Sequence, residues 1–500
     1  MDSPVKSVLG VVFSAIVFTL LFYRQRLGIN LLMFETLIVL MLFLLKRPAA
    51  RPAVVLTISG TLITALMVVI HNSVLSIAVN VISMFLMVGT LLMPRGGSVP
   101  FSIGFGIFHV PMAQVEFFRQ LGRIKTGGSG FGRIFRWMRI ILVPVIILLV
   151  FITIYRAANP VFGELVTRFI SHFQWLYRWF VEYIGIGALM TFMLGMFICD
   201  FLLLRTTEKN LEEASCNASD SLIRTRKKIR QQGLTVALKR EWRSAIILLI
   251  LLNLLLLTVN CIDVHWVWLG FEWNGDYLKQ FVHEGTYLLI ISIIISIGIS
   301  IYIFRGNLNF LTDNTLLKRL TYAWLIQNGI LALSVAMRNL HYIEYYGLAH
   351  RRIGVFFFLL TTIVGLVAVI LKVKKRRSLH FLLKTNFISV YIVLMIMTLV
   401  NWDVVIARYN FAHADRCFVH FDFLATLSPS AQPYLEHDLP ALKRIEEHNG
   451  QFPSDIEYMT AERYHTLMGQ RRKTIIERYE DRHWLSWNLA YQRSYNAIKE

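Results

Sequence analysis

Charge is scarce in this 500-residue chain. Only 16% of its residues are Asp, Glu, Lys or Arg, against 56% hydrophobic and a mean hydropathy of +0.55. Soluble domains carry about 25% charged residues, so the composition excludes a water-soluble globular protein. Cysteine is scarcer still. Cys199, Cys216, Cys261 and Cys417 show no CxxC or metal-ligand spacing, which excludes a disulfide framework and a zinc module. Several catalytic signatures are missing as well. The run Gly127-Gly128-Ser129-Gly130-Phe131-Gly132 continues into Arg133 and lacks the Gly-Lys-Ser/Thr of a phosphate-binding loop, so it reads as a flexible connector. After His283-Glu284 a zincin needs a second histidine where this chain has Tyr287, and there is no GxSxG serine. The first outer loop, Tyr23 to Gly28, offers no acidic pair of the kind a multispan glycosyltransferase needs. No cofactor and no metal is expected.

What the chain does have is long apolar runs. Stretches of spanning length occur at about 5–23, 30–45, 54–70, 74–93, 140–155, 183–204, 245–262, 285–304, 322–337, 355–371 and 381–400. A hydrocarbon core about 30 Å thick needs about 20 apolar residues per helix, and only helices satisfy their backbone within one such segment. The predicted fold is therefore all-α: a polytopic transmembrane helix bundle of about eleven spans over 1–400, with a small, mostly helical tail over 401–500. The first run follows Lys6 but leads to Tyr23-Arg24-Gln25-Arg26 without a small-residue cleavage site, so it reads as an uncleaved span. Phe101 to Leu121 is apolar but carries Pro111, Gln114, Glu116 and Arg119, and is expected at the interface.

The net charge of +20 sits in the membrane part. The tail holds 12 basic and 14 acidic residues, leaving 39 and 17 to the first 400. Basic loops at 94–139, 205–243 and 372–384 alternate with loops poor in Lys and Arg, such as His71-Asn72-Ser73. By the positive-inside rule the N-terminus is cytoplasmic and the tail lies outside, in the cytoplasmic membrane of a bacterium. The pI of 9.9 is then a record of topology, and no nucleic-acid partner is expected. The partners implied are the lipid bilayer, anionic lipid at the basic loops through residues such as Arg224, Arg226, Lys227, Lys228 and Arg230, and an envelope protein or ligand outside. Cys417, within the tail, suggests itself as a natural sidedness label.

Polar residues near spans are the default functional candidates. They collect at the outer ends: Asn159, Glu284, Arg338, His341, Glu344, Arg352, Asp403 and Arg408 form the expected binding cluster, with no catalytic residue assigned. An acid and a base held at headgroup level can bind a phosphate, a sugar or a peptide. The midplane is nearly free of charge, with Asn253, Gln327 and Asn328 its main polar groups, which counts against an ion-driven carrier.

Four landmarks carry a resemblance. They are Ala158-Asn159-Pro160-Val161-Phe162, His283-Glu284-Gly285, Tyr342-Ile343-Glu344-Tyr345-Tyr346-Gly347-Leu348 with Arg352, and Asn401-Trp402-Asp403 through Arg408-Tyr409-Asn410 followed by Phe421 to Ser428. In order and spacing, over about Arg139 to Leu435, they resemble a bacterial multispan family, domain of unknown function 4173, related to 4153. The resemblance implies a helical membrane fold and an inner-membrane address, and it implies no activity. All four landmarks fall on the outer side of the expected topology. The leading reading is a non-enzymatic envelope sensor or scaffold. A transporter or lipid-handling protein is the first alternative, and a membrane-embedded envelope transferase or hydrolase the second.

Overall fold

A helix satisfies its backbone within itself, and apolar runs of this length have no other economical form in lipid. The computed structural model describes residues 4–46, 51–93, 99–123, 148, 152, 155, 159–172, 185–204, 218–222, 231–270, 275–305, 307–311, 314–452 and 458–499. Among them there is no strand, only an isolated bridge between Ser221 and Arg377. Eight of the described helices are long and apolar enough to cross a membrane, and three shorter apolar helices, Ile29–Leu44, Gly187–Leu203 and Tyr287–Ile303, accompany them. The expected span at 140–155 lies outside the described residues apart from isolated positions.

The chain divides into two units: residues 1–215 with 482–488, and residues 216–481 with 489–500. In the first, α1 (Pro4–Phe22), α2 (Ile29–Lys46), α3 (Pro52–His71), α4 (Val74–Leu92), α5 (Val99–Arg123), α6 (Pro160–His172) and α7 (Ile186–Leu203) follow in order. Val11, Ala15, Phe34, Ile38, Met87, Cys199 and Leu203 belong to its core. The α1–α2 turn is built around the buried Asn30. Its Oδ1 accepts from the backbone N–H of Gly28 and Leu31, and its Nδ2 donates to the carbonyls of Leu21 and Arg26. Residues 486–487 lie against this same turn: the Arg26 N–H donates to Ser486 Oγ at 2.9 Å and the Ile29 N–H to the Trp487 carbonyl at 2.8 Å.

The segment expected at the interface is helical throughout. Within α5, residues Pro100–Gly122 are one of the eight helices of spanning length, with Pro111 inside the helix. Its polar residues find protein partners. Arg119 pairs with Glu116 at 2.9 Å, Gln120 donates to Glu116, and Gln114 donates to the Phe197 carbonyl. Local pairing of this kind lowers the cost of carrying polar groups in an otherwise apolar helix. Two glycines also let α4 and α5 touch backbone to backbone. A Cβ on Gly106 would stand 2.6 Å from the Phe85 carbonyl oxygen, and one on Gly89 would fall inside the Ser102 carbonyl.

In the second unit, α8 (Gln231–Asp263) runs into a π-helical turn (Val264–Leu269), followed by α9 (Gly275–Ile303), α10 (Thr315–Tyr346), α11 (His350–Lys375) and α12 (Leu379–Thr398). Helix α10 is central, packing on α8, α9 and α11. At the basic end Lys372 Nζ donates to the Phe304 carbonyl, and Asp220 holds Lys384 and His380 at 3.2 and 3.1 Å. The tail continues this unit through α13 (Trp402–Ala412), α14 (Phe421–Leu424), α15 (Leu439–Asn449), α16 (Ala461–Glu480) and α17 (Leu489–Lys499). Its core of Ile406, Phe421, Leu424, Leu442 and Tyr464 includes Ile353 from α11, so tail and helix ends share one apolar cluster.

Gly89→Ala is expected to lower stability by about 1–3 kcal/mol, the usual cost of overpacking, because a backbone carbonyl cannot rotate out of the way. Gly104→Ala in α5, whose Cβ would meet nothing within 4 Å, is the control and should leave the melting temperature in detergent unchanged.

Candidate functional site

The candidate polar residues of the second unit hang on three local arrangements. The first joins α8 to α10. Asp263 ends α8 and Arg338 lies two turns before the end of α10, and Arg338 Nη2 donates to Asp263 Oδ1 at 2.5 Å with both side chains about 95% buried. A desolvated pair of this kind is costly to break, about 3–5 kcal/mol for loss of one partner, because the other charge is left buried. The π-helical turn that follows is tied to the same helix. Trp268 Nε1 donates to Ser334 Oγ at 3.0 Å, and His341 places Nε2 3.1 Å from the Val267 carbonyl and Nδ1 3.3 Å from Glu344 Oε2. Glu344 itself is exposed.

The second arrangement closes the α10–α11 turn. A helix C-terminus leaves carbonyls without partners, and a guanidinium carries enough donors to take several. Arg352 Nη1 donates to the carbonyls of Tyr346 and Gly347, its guanidinium stacks 4.5 Å from the Tyr342 ring centroid, and its own carbonyl accepts from Asn339 at 2.9 Å. Gly347 has φ +76, a conformation glycine adopts without strain. Its bareness also admits the buried Asn410, whose Oδ1 accepts from the Leu348 N–H at 2.6 Å and whose Nδ2 donates to the Leu348 carbonyl at 2.9 Å. The Phe418 N–H adds a bond to the Tyr345 carbonyl at 2.8 Å. A side-chain amide here takes the place of a neighbouring strand and clasps the tail to the turn.

The third arrangement anchors the start of the tail. Asp403 Oδ1 lies 2.6 Å from His350 Nε2, and its Oδ2 accepts from the Ser428 N–H at 3.1 Å. Burial pushes the Asp403 carboxyl up, but the hydrogen bonds from His350 and Ser428 outweigh it and hold the group below its ordinary range. Arg408 is exposed, donating to Tyr434 Oη at 2.6 Å and stacking 4.2 Å over its ring. Arg471, from α16, caps α14 through the carbonyls of Ala425 and Leu427.

The expected cluster is thus partly drawn together. Arg338, His341, Glu344 and Arg352 share the end of α10 and the turn after it, and Asp403 joins them through His350 on α11. Asn159 belongs to the first unit, where its Oδ1 accepts from the N–H groups of Val161 and Phe162 and caps α6. Glu284 lies on α9, and its side chain is outside the described residues. Two of the amides expected to mark the midplane serve as interhelical glue: Gln327 donates to Asn253 Oδ1 at 2.8 Å and Asn253 to the Leu320 carbonyl, with Asn260 adding a bond to the Gln327 carbonyl, whereas Asn328 turns back to the Trp324 carbonyl of its own helix.

Sequence reasoning passed over His350, Asn410 and Gly347, although the last two stand inside the quoted landmarks and could have been taken as turn and clasp residues. It also passed over the buried Asp200, and it assigned to a basic loop Lys372, which is buried in the last turn of α11. Cys417 is unsuited to labelling, since it is fully buried and burial pushes its thiol up to about 11.

Two tail histidines supply a pH dependence. Burial holds His420 and His437 below the ordinary value of 6.5, outweighing the opposing pull of Asp422 on the first and of the Tyr434 backbone and Asp438 on the second. As pH falls below 6.5 the unfolded tail takes up protons that the folded tail resists, so folding is favoured above that pH and loses stability below it. The melting temperature should drop between pH 7.5 and pH 5, and the drop should shrink in His420→Asn/His437→Gln; an unchanged slope in that variant would refute the assignment.

Among families of known sequence pattern, residues 12–437 match the family model described as Domain of unknown function (DUF4153). The match is to 4153, the relative of the expected 4173, and it begins far upstream of Arg139. No curated protein and no solved structure matches the chain. With eight described helices long and apolar enough to cross a membrane and more than four fifths of its length under one family model, this integral membrane protein belongs to the DUF4153 family.

Proposed function

We propose that the chain is a non-enzymatic protein of the bacterial cytoplasmic membrane that holds its tail outside as a scaffold or sensor for an envelope process. The observation that carries this reading is the use made of the outer polar residues. Arg352 caps a helix end, Asn410 clasps a turn, and Asp403 bridges His350 and Ser428, so their hydrogen-bonding capacity goes into fixing a folded tail. A rigid platform of this kind suits binding more than turnover. The exposed Glu344 and Arg408 are the cluster members left facing solvent, and they are the proposed contacts for an envelope ligand or partner.

Orientation has two independent supports. The basic loops favour a cytoplasmic N-terminus. Independently of any span count, the bonds from Arg26 and Ile29 to Ser486 and Trp487 favour one membrane face for the α1–α2 turn and residues 482–488, both of the first unit. The finer affiliation with family 4173 rests on the four landmarks alone. A transporter is the second reading, favoured by Glu35. That carboxylate is 2% exposed within α2, makes no hydrogen bond of good geometry among the described residues, and has the Asn80 amide as polar neighbour.

The test uses Lys473, exposed on α16. In a cysteine-free background, Lys473→Cys should react with a membrane-impermeant thiol reagent in intact cells; protection until lysis would place the tail inside and sink the envelope reading. A photo-crosslinker at Glu344 should then capture an envelope component, and crosslinks to lipid alone would reject the scaffold role.

A further inference from the structure

Between α8 and α9 lies an open groove of about 550 Å³. That volume is within the range of about 300–1,000 Å³ that holds small ligands. Its walls differ from end to end. Leu248, Ile295 and Ile299 line one end, while Glu241, Ser244 and Tyr302 line the other. The helices run antiparallel, Glu241 near the start of α8 and Tyr302 near the end of α9, so the polar groups share the basic end of the bundle. Glu241 to Leu248 covers seven residues of helix, about 10 Å of groove. An apolar slot two turns long with a polar mouth at the end of the spans has the shape of a lipid tail and headgroup.

The charges at the mouth say more. Arg305, just past α9, stacks its guanidinium 3.9 Å over the Tyr302 ring. Neither Arg305 nor Glu241 has an ion-pair partner among the described residues, and both are exposed. A guanidinium is suited to phosphate oxygens, and a carboxylate to an ammonium. A purely anionic headgroup would satisfy Arg305 and be repelled by Glu241.

We propose that this groove binds a phospholipid with a zwitterionic, ammonium-bearing headgroup: acyl chain along Leu248, Ile295 and Ile299, phosphate on Arg305, and ammonium on Glu241. The neighbouring Arg240 and Arg243 attract lipid phosphate in general, and Glu241 is the feature that favours a headgroup carrying an ammonium beside that phosphate. Gly298 forms part of the wall, and a Cβ built on it meets nothing within 4 Å, so a bulky residue there fills the groove without disturbing the helices.

The experiment is native mass spectrometry of the purified full-length protein with equimolar phosphatidylethanolamine and phosphatidylglycerol. The wild-type chain should retain the ethanolamine lipid about tenfold better, the equivalent of one charge-assisted bond. Glu241→Lys should reverse the preference, and Gly298→Phe should lose the lipid while keeping the wild-type melting temperature. Equal retention of the two lipids, a preference of the wild type for phosphatidylglycerol, or full retention by Gly298→Phe would each overturn the proposal. So would a dimer that Gly298→Phe dissociates, since a second copy would then be the occupant.

Discussion

Inside a bilayer no water is present to take up a spare hydrogen bond, and an unpaired polar group there costs several kcal/mol. Much of this protein's architecture answers that constraint. Backbones close on themselves as helices. Threonines and serines within spans, such as Thr61, Thr64 and Ser83, return their hydroxyls to carbonyls of their own helix. Amides bridge neighbours, as Gln327 and Asn253 do between α10 and α8. The charges of Asp263 and Arg338 are buried together. In α5, Glu116 and Arg119 sit one turn apart and pair.

The same constraint explains how a polar tail is joined to an apolar bundle. The end of α10 presents carbonyls that need donors, and the chain supplies them from three directions: Arg352 from α11, the Phe418 N–H from the tail, and the Asn410 amide on the residue that follows the turn. Gly347 is central, since both its positive φ and its missing side chain are required for Asn410 to approach. Residues that look like a ligand-binding set when read as a list are in this way mostly joinery. What remains exposed, chiefly Glu344 and Arg408, is smaller than the set and better defined.

The groove between α8 and α9 belongs to a different economy. There the protein leaves apolar surface uncovered, and lipid is the natural filler. Opposite charges at its mouth are the feature that distinguishes a built site from an ordinary gap between helices.

Much was legible from the chain alone. Apolar runs of spanning length and a deficit of charge are additive properties, read residue by residue, so the all-helical membrane class follows without knowledge of neighbours. The landmark motifs led to the right group of families for the same reason, since order and spacing are one-dimensional. Partnership is not additive. Whether Glu116 is a cost depends on Arg119 beside it, whether Cys417 is reachable depends on a tail core folded over it, and Asn410 matters because Leu348, 62 residues away, comes to meet it. Hydropathy therefore determined the class and the address in lipid, while the pairing of polar groups across helices, and with it the distinction between a residue that binds and one that builds, was decided only by tertiary structure.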